Sequence, residues 1–162
     1  MKSTIRKYTI LSFSIILILV LGYYRDFIFK GINAIVQAKE LSVSYTAPSS
    51  LQFIQAYSIS FLLKIKWTLT FLFSLGYLGI SLFTIQNIFH NPKFNKITLA
   101  TYLITGLVSG LFMATGFIFT GISDKMYEFS RYLMGMAQSP IILMILIPAF
   151  KLSSQEHSNI PN

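Results

Sequence analysis

The residues best suited to chemistry in this 162-residue chain lie in one apolar segment, RYLMGMAQSPIILMILIPAF, which runs from Arg131 to Phe150. Arg131, Gly135 and Gln138 stand at positions i, i+4 and i+7, which places them on one face of a helix. Glu128 lies one turn earlier, at the spacing of an intrahelical ion pair. Because polar groups are costly in hydrocarbon, this face predicts a site for a partner's polar group or the wall of a small cavity. The alternative is that Arg131 simply extends its guanidinium to the lipid headgroups.

Pro140 lies inside the same predicted helix. Proline lacks the backbone N–H that would otherwise bond to the carbonyl of Met136, four residues earlier. We therefore expect a kink at Pro140 and a replacement donor for the Met136 carbonyl. The side-chain amide of Gln138 is the candidate donor.

The residue types that support catalysis are sparse. The chain has no cysteine, which excludes disulfides, thiolate metal sites and cysteine nucleophiles. Its two histidines, His90 and His157, fall outside the predicted helices, and no span carries paired carboxylates or metal-ligand spacing. The sequence therefore predicts no enzyme, no catalytic or metal-binding residue and no cofactor. A small transporter or channel subunit is the alternative function, because Gln138 and Pro140 resemble the broken helices of transporters.

Composition indicates that lipid is the solvent. The chain is 54% hydrophobic and 11% charged, whereas a soluble domain carries about 25% charged residues. The formal net charge of +8 comes from basic residues that stand singly or in pairs beside apolar runs, as at membrane interfaces. No basic stripe lies on a soluble element, so nucleic acid is not a predicted partner.

Four apolar segments are long enough to span a bilayer, at 8–24, 67–89, 97–122 and 132–150. They predict an all-α integral membrane protein with four transmembrane helices in a single domain, 1–152, followed by a polar tail, 153–162. We interpret the first segment as a retained signal anchor, because no small-residue cleavage site follows it. Basic residues before this segment and in the turn at 90–96 place both termini in the cytoplasm.

The connector at 25–66 is the only sizeable extramembrane region. Its apolar residues recur at helical spacing over 26–41, which predicts an amphipathic helix on the membrane surface. A loop over 42–50 and a second helical pattern over 51–63 follow. Both an ordinary surface connector and a binding platform for a partner fit this pattern.

Small residues mark three of the predicted spans, the fourth through Gly135 and Ser139, which are four residues apart. Gly106 and Gly110 are four residues apart on the third helix, and Gly76 and Gly79 are three apart on the second. Glycines at such spacing let two helix backbones approach closely. These faces serve either packing within the bundle or docking of a separate membrane protein.

The final segment also resembles a known family. Arg131 opens it, Gln138-Ser139-Pro140 follows, and Ile147-Pro148-Ala149-Phe150 closes it. This arrangement resembles the last helix of small membrane proteins associated with exosortase systems in Bacteroidetes, of the exosortase F system-associated and exosortase X-associated types. Residues 25–27 and 66–82 are similar to the family's first loop and second helix. Ser130 departs from the family, which often has a second arginine there.

The resemblance implies an accessory role in protein sorting. Exosortases are membrane transpeptidases whose catalytic set includes a cysteine, and this chain has none. The expected function is therefore a non-catalytic protein of the bacterial inner membrane. It would associate through its helices with the exosortase, or with the sorting helix of the exosortase's substrate, while the rest of its surface contacts membrane lipid.

Overall fold

A computed structural model describes residues 2–45, 47–119 and 123–156, and these residues form helices and connecting turns without a strand. The elements are α1 (Lys2–Glu40), a 3-10 turn (Ser49–Leu51), α2 (Gln52–Gln55), α3 (Ile59–Phe89), α4 (Pro92–Ile118), α5 (Ser123–Ala137) and α6 (Ile141–Glu156). Three helices, α1, α3 and α4, are long and apolar enough to cross a membrane, and α5 with α6 makes a fourth span if the bent pair counts as one. The predicted all-α membrane fold is confirmed. Residues 120–122 of the predicted third span and 157–162 of the predicted tail, including His157, lie outside the described residues.

The first helix is much longer than the predicted span. It does not end after residue 24 but continues through Arg25 and Asp26 to Glu40. No proline interrupts the amphipathic pattern of 26–41, so the two predicted helices form one element. At 1.5 Å per residue its 39 residues extend about 58 Å, against about 30 Å of hydrocarbon. A long part of α1 therefore lies outside the hydrocarbon, and the connector helix continues the first span.

Residues 19–76 form a compact unit around the connector. Its core contains six buried apolar side chains from the end of α1, the connector and the start of α3: Ile32, Ile35, Ala47, Leu51, Ile54 and Leu62. Gly31 lies so close to Leu51 that an added Cβ would collide with the Leu51 methyl group. The Lys66 ammonium donates a hydrogen bond of 2.8 Å to the Asn33 side chain, which fixes α3 against α1 at this point. The connector is thus folded onto the helices that flank it.

The described residues within 1–18 and 77–162 form the second compact unit, in which hydroxyl groups join successive helices. The paired atoms are Ser14 Oγ and Thr84 Oγ1 at 2.7 Å, Ser81 Oγ and Tyr102 Oη at 2.9 Å, and Ser109 Oγ and Ser130 Oγ at 3.0 Å. These contacts join α1 to α3, α3 to α4, and α4 to α5. All six residues are buried. Small hydroxyl side chains allow close helix approach and satisfy one another where water is scarce.

Three aromatic rings fix α6 at Phe150 within the same unit. The rings of Phe94 and Phe150 stack with centroids 4.3 Å apart, and Phe89 packs edge-on against both. Phe150 is the last residue of the Ile-Pro-Ala-Phe segment. Its place between α3 and α4 gives this motif residue a packing role.

The sequence left open whether the glycines serve packing within the bundle or docking of another protein, and the structure separates Gly76 from the other three. An added Cβ on Gly76 would lie 3.2 Å from Leu21, so Gly76 serves packing within the chain. At Gly79, Gly106 and Gly110 an added Cβ would meet no atom within 4 Å. These three glycines therefore leave open surface on α3 and α4.

The connector core predicts a position-specific loss of stability. Leu62→Ala removes a side chain that is 0% exposed and should destabilise the 19–76 unit by about 2–5 kcal/mol. Amide hydrogen exchange in detergent micelles should then speed up between residues 30 and 62. Leu63→Ala, at a neighbour that is 41% exposed, is the matched control and should leave exchange nearly unchanged. Equal effects of the two substitutions would contradict a folded connector core.

Candidate functional site

The predicted fourth helix is divided into two. α5 ends at Ala137, α6 begins at Ile141, and their axes are bent by 56°. The division lies at Pro140, where the sequence predicts a kink, because proline provides no N–H and its ring crowds the preceding turn. Pro148 lies inside α6 without dividing it.

Backbone groups at the division find partners within the chain. The Ser139 hydroxyl donates a 2.7 Å hydrogen bond to the carbonyl of Met136. The same oxygen accepts a 3.4 Å bond from the N–H of Ile141, the first residue of α6. The sequence suggested the Gln138 amide as the donor to the Met136 carbonyl, and the structure shows Ser139 in that role. One serine hydroxyl thus serves both the end of α5 and the start of α6.

An open groove of about 440 Å³ runs along α5 to the start of α6. Its lining residues are Glu128, Arg131, Tyr132, Gly135, Met136, Ser139 and Ile141. The first six stand at i, i+3, i+4, i+7, i+8 and i+11, which is one continuous helical face. The groove therefore follows directly from the periodicity of α5, extended by the division at Pro140.

The structure brings three of the predicted site residues together and separates two. Glu128, Arg131 and Gly135 line the groove. Gln138 is only 2% exposed and faces the protein interior, and Pro140 does not contribute to the described lining. The N–H of Gln138 still donates to the Met134 carbonyl at 3.0 Å, so the last turn of α5 reaches this residue. Gln138 lies at the edge of the face, beyond Arg131, and the protein covers it there.

Four lining residues were missed, namely Tyr132, Met136, Ser139 and Ile141. Three of them could have been found from the sequence. Tyr132 and Met136 lie four and eight residues after Glu128, and Ser139 lies eight after Arg131. Ile141 depends on the bend between the helices, which spacing alone does not specify.

Glu128 and Arg131 carry opposite charges and lie at one end of the groove, which we call its mouth. The Glu128 and Arg131 side chains are both accessible, and among the described residues no ion pair joins them. The other lining residues supply mainly apolar surface and the Tyr132 and Ser139 hydroxyls. The groove can therefore hold a ligand that carries both charges at one end and hydrocarbon at the other.

The opposite face of α5 is anchored to α4. The Ser109 hydroxyl lies 2.9 Å from the carbonyl of Ser130, and the rings of Phe112 and Phe129 pack edge-to-face at 4.6 Å. As residue numbers rise on α4 they fall on α5, so the two helices are antiparallel. This anchoring leaves the grooved face of α5 free.

No known protein family, curated protein or solved structure matches the chain.

The bend predicts a measurable change of distance. Pro140→Ala restores an N–H that can donate to the Met136 carbonyl, so α5 and α6 should join into a straighter helix. Spin labels at Tyr127→Cys and Leu152→Cys, both at exposed positions, should move apart by about 5 Å in double electron–electron resonance.

Pro148→Ala is the matched control, since Pro148 lies within an unbroken helix. The label distance should not change in this variant. An unchanged distance in Pro140→Ala would show that packing, rather than proline, sets the bend.

Proposed function

We propose that this chain is a non-catalytic accessory protein of an exosortase protein-sorting system in the bacterial inner membrane. It acts by helix–helix association with the exosortase or with the sorting helix of the exosortase's substrate. Both of its termini lie in the cytoplasm. The family assignment is supported by the resemblance of the segment from Arg131 to Phe150.

The observation that carries the association is the open glycine surface of α4. An added Cβ on Gly106 or Gly110 would meet no atom of the described residues within 4 Å, so the described helices do not use this surface. Glycine within a helix costs about 1 kcal/mol relative to alanine, and here no internal packing offsets that cost. In lipid, helices associate through close backbone approach at small residues. A partner's transmembrane helix is the element that would benefit from this surface.

The side chains beside the glycines suit the same partner. Leu107 and Leu111 are 67% and 66% exposed, and they project next to Gly106 and Gly110. A helix that packs on the glycines would bury these two leucines along its edge. Van der Waals packing of this kind drives helix association in membranes.

Co-purification tests this proposal. The full chain should be recovered with the exosortase of the same genome in mild detergent. Gly110→Leu should lower recovery about tenfold, because the new side chain occupies the contact surface without disturbing the chain's own packing.

Gly79→Leu is the matched control, since Gly79 is equally open but lies on α3. Its recovery should equal that of the unmodified chain. Loss in Gly79→Leu alone would move the contact to α3, and failure of the unmodified chain to associate at all would refute the proposal.

A small transporter or channel subunit is the second candidate, favoured by the division of α5 and α6. Helices broken within the membrane often line ion and substrate paths. Vesicles containing the pure chain should then carry proton or potassium flux, read with internal fluorescent dyes. Gln138→Leu and Arg131→Gln should each abolish that flux, and vesicles without flux exclude this function.

A further inference from the structure

The groove along α5 is charged at one end and uncharged along the rest of its length. Arg131 is followed by an uncharged stretch that lasts until Lys151. The mouth of the groove, at Glu128 and Arg131, therefore lies at the level of the lipid headgroups. At 1.5 Å per residue, Ser139 lies about 12 Å deeper along the chain than Arg131. The inner end of the groove, at Met136 and Ile141, thus reaches the acyl-chain region.

The two charges at the mouth are complementary to a zwitterion. A guanidinium binds phosphate through paired hydrogen bonds, and a carboxylate accepts hydrogen bonds from a primary ammonium. Glu128 and Arg131 lie one turn apart and are not paired with each other. A purely anionic headgroup would satisfy Arg131 but would be repelled by Glu128.

Gly135 leaves room for hydrocarbon between the mouth and the inner end. An added Cβ there would meet no atom within 4 Å, so the groove has open space at its middle. The volume of about 440 Å³ falls in the range of about 300–1,000 Å³ that is usual for small-molecule sites. A groove of this size, open along its length, has room for a headgroup and the upper part of one acyl chain.

We propose that this groove binds one zwitterionic phospholipid with a primary ammonium, of the phosphatidylethanolamine type. Its phosphate contacts Arg131, its ammonium contacts Glu128, and an acyl chain passes over Gly135 toward Ile141. This site lies on α5 and α6, apart from the glycine surface of α4 that is proposed for the protein partner. The lipid is thus a ligand of the accessory protein rather than only its solvent.

Native mass spectrometry of the full chain tests the site. The protein is purified in mild detergent and mixed with equal amounts of phosphatidylethanolamine, phosphatidylcholine and phosphatidylglycerol of matched chains. The ethanolamine lipid should be retained about fivefold more than either of the others. Phosphatidylcholine is the sharper comparison, because its quaternary ammonium cannot donate a hydrogen bond to Glu128.

Three variants test the ammonium contact, the phosphate contact and the space for the acyl chain one at a time. Glu128→Gln should abolish the preference for ethanolamine, Arg131→Gln should weaken retention of all three lipids, and Gly135→Leu should block the groove without changing charge. Lys125→Gln is the matched control, because it removes an exposed charge from the same helix outside the lining. Circular dichroism and a monodisperse elution profile establish that each variant is folded.

Several results would overturn the lipid site. They are equal retention of the three lipids, unchanged preference in Glu128→Gln, or full retention in Gly135→Leu. Displacement of lipid by a bound exosortase helix in this groove would also overturn it. The proposed function is tested separately. Gly110→Leu should keep the lipid preference and lose the exosortase, whereas Glu128→Gln should lose the lipid preference and keep the exosortase.

Discussion

A polar group that lies in hydrocarbon must find its hydrogen-bond partner within the protein, because lipid offers none. In α3 and α4, Thr84 and Thr98 donate to carbonyls four residues earlier in their own helices, at 2.7 and 2.8 Å. Between helices, hydroxyls meet hydroxyls, as Ser109 meets Ser130. The same requirement decides where a helix can be broken, since every break releases carbonyls that need donors.

Ser139 makes the break at Pro140 tolerable, and the break in turn creates the groove. Without the Ser139 hydroxyl, the Met136 carbonyl would lose the donor that replaces the missing N–H of Pro140. The two helices are then held from opposite ends. α5 is fixed to α4 near Ser130, and α6 is fixed near Phe150 by aromatic stacking on Phe94. With both ends fixed and a bend between them, one face of α5 stays uncovered.

The features that the sequence predicts correctly are those that depend on a few neighbouring residues or on the composition of one segment. The turn predicted at 90–96 contains Asn91 and Pro92, and the structure places the Asn91 side chain as acceptor for the N–H of Lys93. Three of the four predicted spans are long apolar helices, and the fourth is the bent pair of α5 and α6. The division at Pro140 follows from the chemistry of proline.

Other features depend on tertiary structure and were beyond the sequence. The amphipathic pattern of 26–41 fits a separate surface helix as well as a continuation of α1, and the lack of a proline permits the continuous helix without requiring it. The burial of Gln138 removes it from the polar face predicted with Arg131, and helical spacing alone does not show which edge of a face the rest of the protein covers. Glycine spacing likewise cannot tell Gly76, which packs on Leu21, from Gly106, which faces open space.

The bend has a consequence for how the last span meets the bilayer. The uncharged stretch of 132–150 would be about 28 Å long as a straight helix, close to the hydrocarbon thickness of about 30 Å. A bend of 56° shortens its reach across the membrane to about 25 Å if the two arms tilt equally. A span shorter than the hydrocarbon thickness thins the bilayer around it, which brings the headgroups closer to the ends of the helix. The charges of Glu128 and Arg131 stand at the upper end of that shortened span, so headgroups drawn inward there meet a carboxylate and a guanidinium rather than an apolar wall.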